Sequence, residues 1–207
     1  MTHTLHRLGS VEELKGDYVI MVIIAKDFNE EGSGQKVQQF TRIVLKHHPV
    51  NFGTTKGRGI WEDPESFISK LTDGVAVYAV FNDKETIRQV IEELRIANLG
   101  LSINVSGLLE DVGTCCKSMG FVPHAAEQSV GIMGKTNRLP DRNIVEINSL
   151  CGHGMVPFAL VDKVMDLVKQ GKMTPADGAQ FLSKPCECGV FNTRRAEEFL
   201  EQTRVES

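Results

Sequence analysis

The stretch Tyr18-Val-Ile-Met-Val-Ile-Ile-Ala25 decides the fold. It is a continuous apolar run, rich in β-branched residues, with no polar alternation. That is the pattern of a strand buried on both faces. A membrane helix needs ~20 such residues, so the run is too short to span a bilayer.

The chain beyond it alternates helix-period and strand-period segments. Val37, Phe40, Ile43, Val44 and His47 fall at helical spacing between Gly34 and His48, and Pro49 stops that helix. Val50 to Gly53 reads as a short strand. Asp63-Pro64 opens a helix running to Leu71, with Asp as N-cap and Pro in the first turn. Val75 to Phe81 is a second apolar strand. Asp83 caps a helix carrying Ile87, Val90, Ile91 and Leu94. Leu101 to Val105 alternates as a strand, Leu108 to Met119 reads as a helix, and His124 to Met133 as a last strand.

Strand–helix repetition of this kind predicts an α/β fold. Apolar strands favour a mostly parallel layered sheet, because crossover helices cover both of its faces. A mixed ferredoxin-like sheet is the rival arrangement, and spacing alone leaves it open. A polar loop at Lys135 to Arg142 marks a boundary. The expected organisation is an α/β domain over 1–134, then a C-terminal helical segment over 135–207. In that segment Val161, Val164, Met165 and Val168 share a helical face. Thr174-Pro175 starts a second helix, and Asn192 caps a third.

With 207 residues, 41% hydrophobic and 24% charged, the chain has globular composition, which excludes disorder. A net charge of -4 gives no broad basic field for nucleic acid or anionic membrane. Met1 to Gly9 has no apolar core of a secretory signal. A cytoplasmic location is therefore expected. The five cysteines then read as reduced thiols rather than a disulfide framework.

Soft ligands concentrate in two pairs, Cys151-Gly-His153-Gly154 and Cys186-Glu-Cys188-Gly189. Thiolate and imidazole are the preferred ligands of zinc and also serve iron–sulfur clusters. Flanking glycines let the backbone curl and aim amides at sulfur. The first helix between the pairs spans roughly 22–24 Å and the returning one about 15 Å. Two or three extended residues make up the difference, at about 3.3 Å each. A helical hairpin thus permits Cys151, His153, Cys186 and Cys188 to meet as a Cys3His site. Three alternatives stand beside it: a buried small residue plus a surface loop, a metal-free redox thiol, and an open site with Glu187 as proton carrier.

In a parallel sheet, ligands bind beyond the carboxyl ends of the strands. Asp27, Asn82, Asp83, Ser106 and Gly107 would line that edge as a small-molecule or cofactor site. Gly32-Ser33-Gly34, opening the first long helix, is a phosphate candidate, although Val37 breaks the dinucleotide fingerprint. The Thr54 to Gly59 loop with Trp61 is a candidate anion loop. His47-His48 and Cys115-Cys116 are candidate ligands with ordinary structural explanations. The functional expectation is a metalloenzyme or redox enzyme acting on a small molecule through the Cys3His centre. A non-catalytic metal or iron–sulfur carrier, sensor or assembly protein, and a binding module with structural zinc, remain open beside it.

Overall fold

The computed structural model describes residues 4–55, 57–59 and 62–205. After a short helix α1 (Val11–Leu14), β1 (Tyr18–Ile23) leads to α2 (Ser33–Lys46), β2 (Asn51–Thr54) and the two-residue β3 (Gly57–Arg58). Then come α3 (Pro64–Ser69), β4 (Val77–Phe81), α4 (Lys84–Ala97), β5 (Ser102–Ser106) and α5 (Leu109–Ser118). The C-terminal segment holds α6 (Arg142–Ser149), α7 (Phe158–Lys169), α8 (Pro175–Ser183) and α9 (Thr193–Val205).

The sheet order is β3-β2-β4-β1-β5. Each recorded pairing is antiparallel: β1 with β4 and β5, and β2 with β3 and β4. This overturns the expected mostly parallel sheet. β1-α2-β2 and β4-α4-β5 are crossover units, but each leaves a gap that a strand of the other fills. That interlocking is the split β-α-β plait of ferredoxin-like topology.

The physical reason lies in what covers the sheet. Tyr18, Ile20 and Val22 face α2 and α4, packing with Val37, Phe40, Ile87 and Val90. Their neighbours Val19 and Met21 face the other way, with Tyr78 and Val80, against the C-terminal helices. The strands are apolar on both faces because the helices after residue 140 supply the second cover. Burial on two faces does not require parallel strands.

The expected strand over His124 to Met133 has no regular structure, and those residues are exposed. Most of Asn143 to Leu150 belongs to the helix α6.

A buried charge network ties the chain's two ends to the sheet. Asp17 accepts from Arg7 at 3.0 Å and Arg195 at 2.9 Å, and its carboxylate is fully buried. Asn192 donates to Asp17 at 3.0 Å and, through Oδ1, accepts from the Arg195 amide, capping α9. Arg195 also donates to the Leu8 carbonyl and Arg7 to that of Val190.

Candidate metal centre

The two cysteine pairs fold into twin turns. In the first, the Gly154 amide donates to the Cys151 carbonyl at 3.0 Å; in the second, Gly189 donates to Cys186 at 3.5 Å. Each is a four-residue turn closed by a glycine in the left-handed region, φ +68° at Gly154 and +73° at Gly189. Ligand-type side chains occupy the first and third positions of both.

Helices α6, α7 and α8 bring the turns together. Cys151 follows the end of α6, and Cys186 follows the end of α8, which packs on α7. The Cys186 amide donates to the Ser183 carbonyl, so the second turn continues directly from α8. From Cys186 onward the chain is stitched to the sheet. Asn51 donates to the Phe191 carbonyl at 2.8 Å, and Thr193 donates to that of Val50 at 3.2 Å.

Gly189 is pressed against β2. A Cβ there would lie 2.4 Å from both the carbonyl carbon and oxygen of Phe52. Gly53, which also lacks a side chain, leaves room for this approach. At Gly154 a Cβ would meet nothing within 4 Å.

Cys151, Cys186 and Cys188 are buried, at 1%, 0% and 2% exposure, and share the core of the C-terminal layer. Their sulfurs form a chain. The Cys151 thiol hydrogen-bonds to Cys186, and that of Cys186 to Cys188. The Cys188 sulfur lies 3.6 Å from Nδ1 of His153. His153 and Glu187 are exposed, so the imidazole sits on the solvent side of three buried thiols.

The direction of proton affinity follows the chain. Its bond to Cys186, followed by burial, pushes the Cys151 thiol far above its ordinary range. Cys151 pulls Cys186 down, but the bond to Cys188 and burial win, lifting it to about 11. Cys188, at the receiving end of the bond from Cys186, falls below its ordinary value. Backbone amides add to this: His153 and Met155 bond to Cys151, Phe191 to Cys186, and Val190 to Cys188. Amides aimed at sulfur stabilise negative charge there. Among the described residues, no group of three or more His, Cys, Asp or Glu side chains is arranged as a ready cation cage. The four side chains meet as a hydrogen-bonded string.

The other predicted residues do not gather. Antiparallel pairing removes the shared carboxyl edge on which the cofactor-site expectation rested. Asp27 lies beyond β1, at the end where β4 and β5 begin; Asn82, Ser106 and Gly107 lie at the opposite end, where β1 begins. Asp27 is exposed with φ 65°. Ser106 donates to the Thr4 carbonyl at 3.3 Å. Gly107 has a packing reason: a Cβ would lie 2.5 Å from the Tyr18 ring. Asp83 caps α4 through the Thr86 amide.

The phosphate candidate is already occupied from within. Asp73 accepts from the Gly32 amide at 3.0 Å and the Gly34 amide at 2.6 Å, so a carboxylate fills the α2 N-terminus. His47 bonds to Glu93 at 2.9 Å. Cys115 is buried and Cys116 half-buried. Lys56 and Trp61 of the candidate anion loop lie outside the described residues.

Two shallow cavities lie elsewhere. One of about 300 Å³ is lined by Pro140, Asp141, Ile144, Phe158, Ala159 and Asp162. The other, about 230 Å³, lies between Val50 and helices α8 and α9. Among the described residues, no helix is long and apolar enough to cross a membrane.

Sequence reasoning missed the Gly189 contact, because a glycine's close approach leaves no mark beyond its identity. Compared with known proteins, the chain matches no family model, no curated protein and no solved structure.

Proposed function

We propose that the protein binds one zinc ion through Cys151, His153, Cys186 and Cys188. The observation that carries this reading is their convergence, with Cys188 Sγ and His153 Nδ1 3.6 Å apart. A tetrahedral ion with Zn–S of about 2.3 Å and Zn–N of about 2.0–2.1 Å sets those two atoms about 3.6 Å apart. Sulfur and nitrogen at that spacing suit one coordination sphere; an iron–sulfur cluster spreads its ligands over several irons. Burial of three thiols with amides bonded to them supports the same conclusion. Zinc would displace the thiol protons that now bridge the sulfurs.

Two uses of the ion follow. With His153 exposed, an ion held there would be reached from solvent, which supports a metalloenzyme acting on a small molecule. His153 would be the exchangeable ligand, with Glu187 as proton carrier. Close packing of Gly189 on β2 supports a structural ion that pins the C-terminal helices to the sheet. All five cysteines are free, which supports a reducing, cytoplasmic location.

Metal analysis of the purified protein tests the reading. The expected result is one zinc per chain, reduced to a small fraction in Cys186→Ser. A brown protein with iron and sulfide would replace zinc by a cluster, and a metal-free wild type would sink the proposal. Zinc given up to a chelator by the folded protein favours the catalytic use. Zinc held until unfolding favours the structural one.

A further inference from the structure

The sheet contributes a side chain to this centre. Tyr78 is the second residue of β4 and is 7% exposed. Its side chain belongs to the core of the C-terminal layer, together with Cys151, Cys186 and Cys188. In register it pairs with Gly53 of β2. Residues paired in this way project to the same face of the sheet. Gly53 has nothing to project, and Gly189 takes that space: a Cβ on Gly189 would lie 2.8 Å from the Gly53 amide nitrogen. Cys188 is the residue before Gly189. The register and the glycine approach together put the turn carrying Cys188 on the face of the sheet that carries Tyr78.

A phenol offers the chemistry that this position lacks. Cys188 already takes a hydrogen bond from Cys186 in the metal-free string, and that bond disappears once Cys186 is itself a ligand. A tyrosine hydroxyl is a donor with no charge of its own. Outer hydrogen bonds to metal ligands fix their orientation and tune the metal, and losing one typically costs about 10–100-fold in affinity.

We propose that Tyr78 is a positioning residue of the metal centre, whose hydroxyl donates to the Cys188 sulfur when the ion is bound. This inference rests on the zinc reading above. Tyr78 does not touch the metal; it acts through the thiolate, lowering the charge that the sulfur passes to the ion.

Cobalt(II) is the probe, because its thiolate charge-transfer bands report on sulfur. Wild type, Tyr78→Phe and Val80→Ala are titrated with cobalt(II). Val80 shares the face and core of Tyr78, so its truncation controls for simple loss of packing. Tyr78→Phe is expected to bind one cobalt per chain, with charge-transfer bands shifted to lower energy and affinity reduced about 10-fold. Val80→Ala is expected to lower thermal stability and leave the bands in place. Unshifted bands and unchanged affinity in Tyr78→Phe, beside a normal wild-type spectrum, overturn the role of Tyr78 alone. Failure of wild type to bind cobalt overturns the zinc reading and this inference together. If Tyr78→Phe does not fold, wild type loaded with ¹¹³Cd gives the answer. Coupling between cadmium and the Tyr78 hydroxyl proton supports the bond, and its absence overturns it.

Discussion

The two cysteine turns share a leading cysteine and a closing glycine and differ sharply in surroundings. Cys151 to Gly154 ends in an exposed imidazole and a glycine facing open space. Cys186 to Gly189 ends in a buried thiol and a glycine wedged against the β2 backbone. Local chemistry is shared: a closing amide bond, a left-handed glycine, and two soft side chains one residue apart. The contrast teaches that a turn motif specifies which atoms can be presented, while packing decides which are held rigid and which remain accessible. On this reading the second turn is the fixed jaw of the site and the first is the movable one.

The contrast yields predictions of decreasing size. Metal removal has the largest effect. With metal a thousandfold above its Kd, bound zinc adds about 4 kcal/mol of stability. Excess chelator should therefore lower the melting temperature of wild type by several degrees and leave Cys186→Ser unmoved, as read by calorimetry. Equal response in both proteins would remove the ion from the comparison.

Gly189→Ala comes next. It forces a side chain into the left-handed region and drives a Cβ into the Phe52 carbonyl. Strain and overpacking together should cost about 3 kcal/mol or more, measured by urea denaturation. Gly154→Ala has the strain without the collision and should cost about 1–2 kcal/mol. Equal losses at the two glycines would mean that the fixed jaw is no more constrained than the movable one.

The smallest effect lies where α4 and α5 meet the start of β1, away from both turns. Lys84, bonded to Asp111 at 2.6 Å, and then Tyr18, at 2.8 Å, hold the Asp111 carboxyl below its ordinary range. A carboxyl with a lowered folded-state pKa stabilises the protein above its unfolded-state value. That contribution fades as pH falls through the folded-state value. Asp111→Asn should therefore flatten the acid side of the stability–pH curve, below about pH 4. The loss at neutral pH should stay under about 1 kcal/mol, since the pair is partly solvated. An unchanged acid limb would discard the ion pair as a contributor.

Much of this was legible in the chain. Capping residues announced α3, α4, α8 and α9, because Asp63, Asp83, Thr174 and Asn192 satisfy amide protons locally. Glycine and the spacing of soft ligands marked both cysteine turns. Strand direction was not legible. Tyr18 to Ile23 would read the same in either sheet, since burial on two faces reports cover and not orientation. The carboxyl-edge site fell with it: Asp27 and Asn82 were grouped by a direction the strands do not share. Asp73 filling the α2 N-terminus was equally hidden, because the two meet across 39 residues of chain.

By itself the sequence determined where helices begin, which residues turn the chain, and which side chains suit a soft metal. These depend on φ preferences, local hydrogen bonds and ligand chemistry, all set within a few residues. Only the tertiary structure decided that the strands run antiparallel, that the C-terminal helices close the sheet's second face, that Gly189 presses on the Phe52 carbonyl, and that Tyr78 shares a core with the three buried cysteines. Those outcomes depend on which distant surfaces exclude water together, and no short window of sequence contains both.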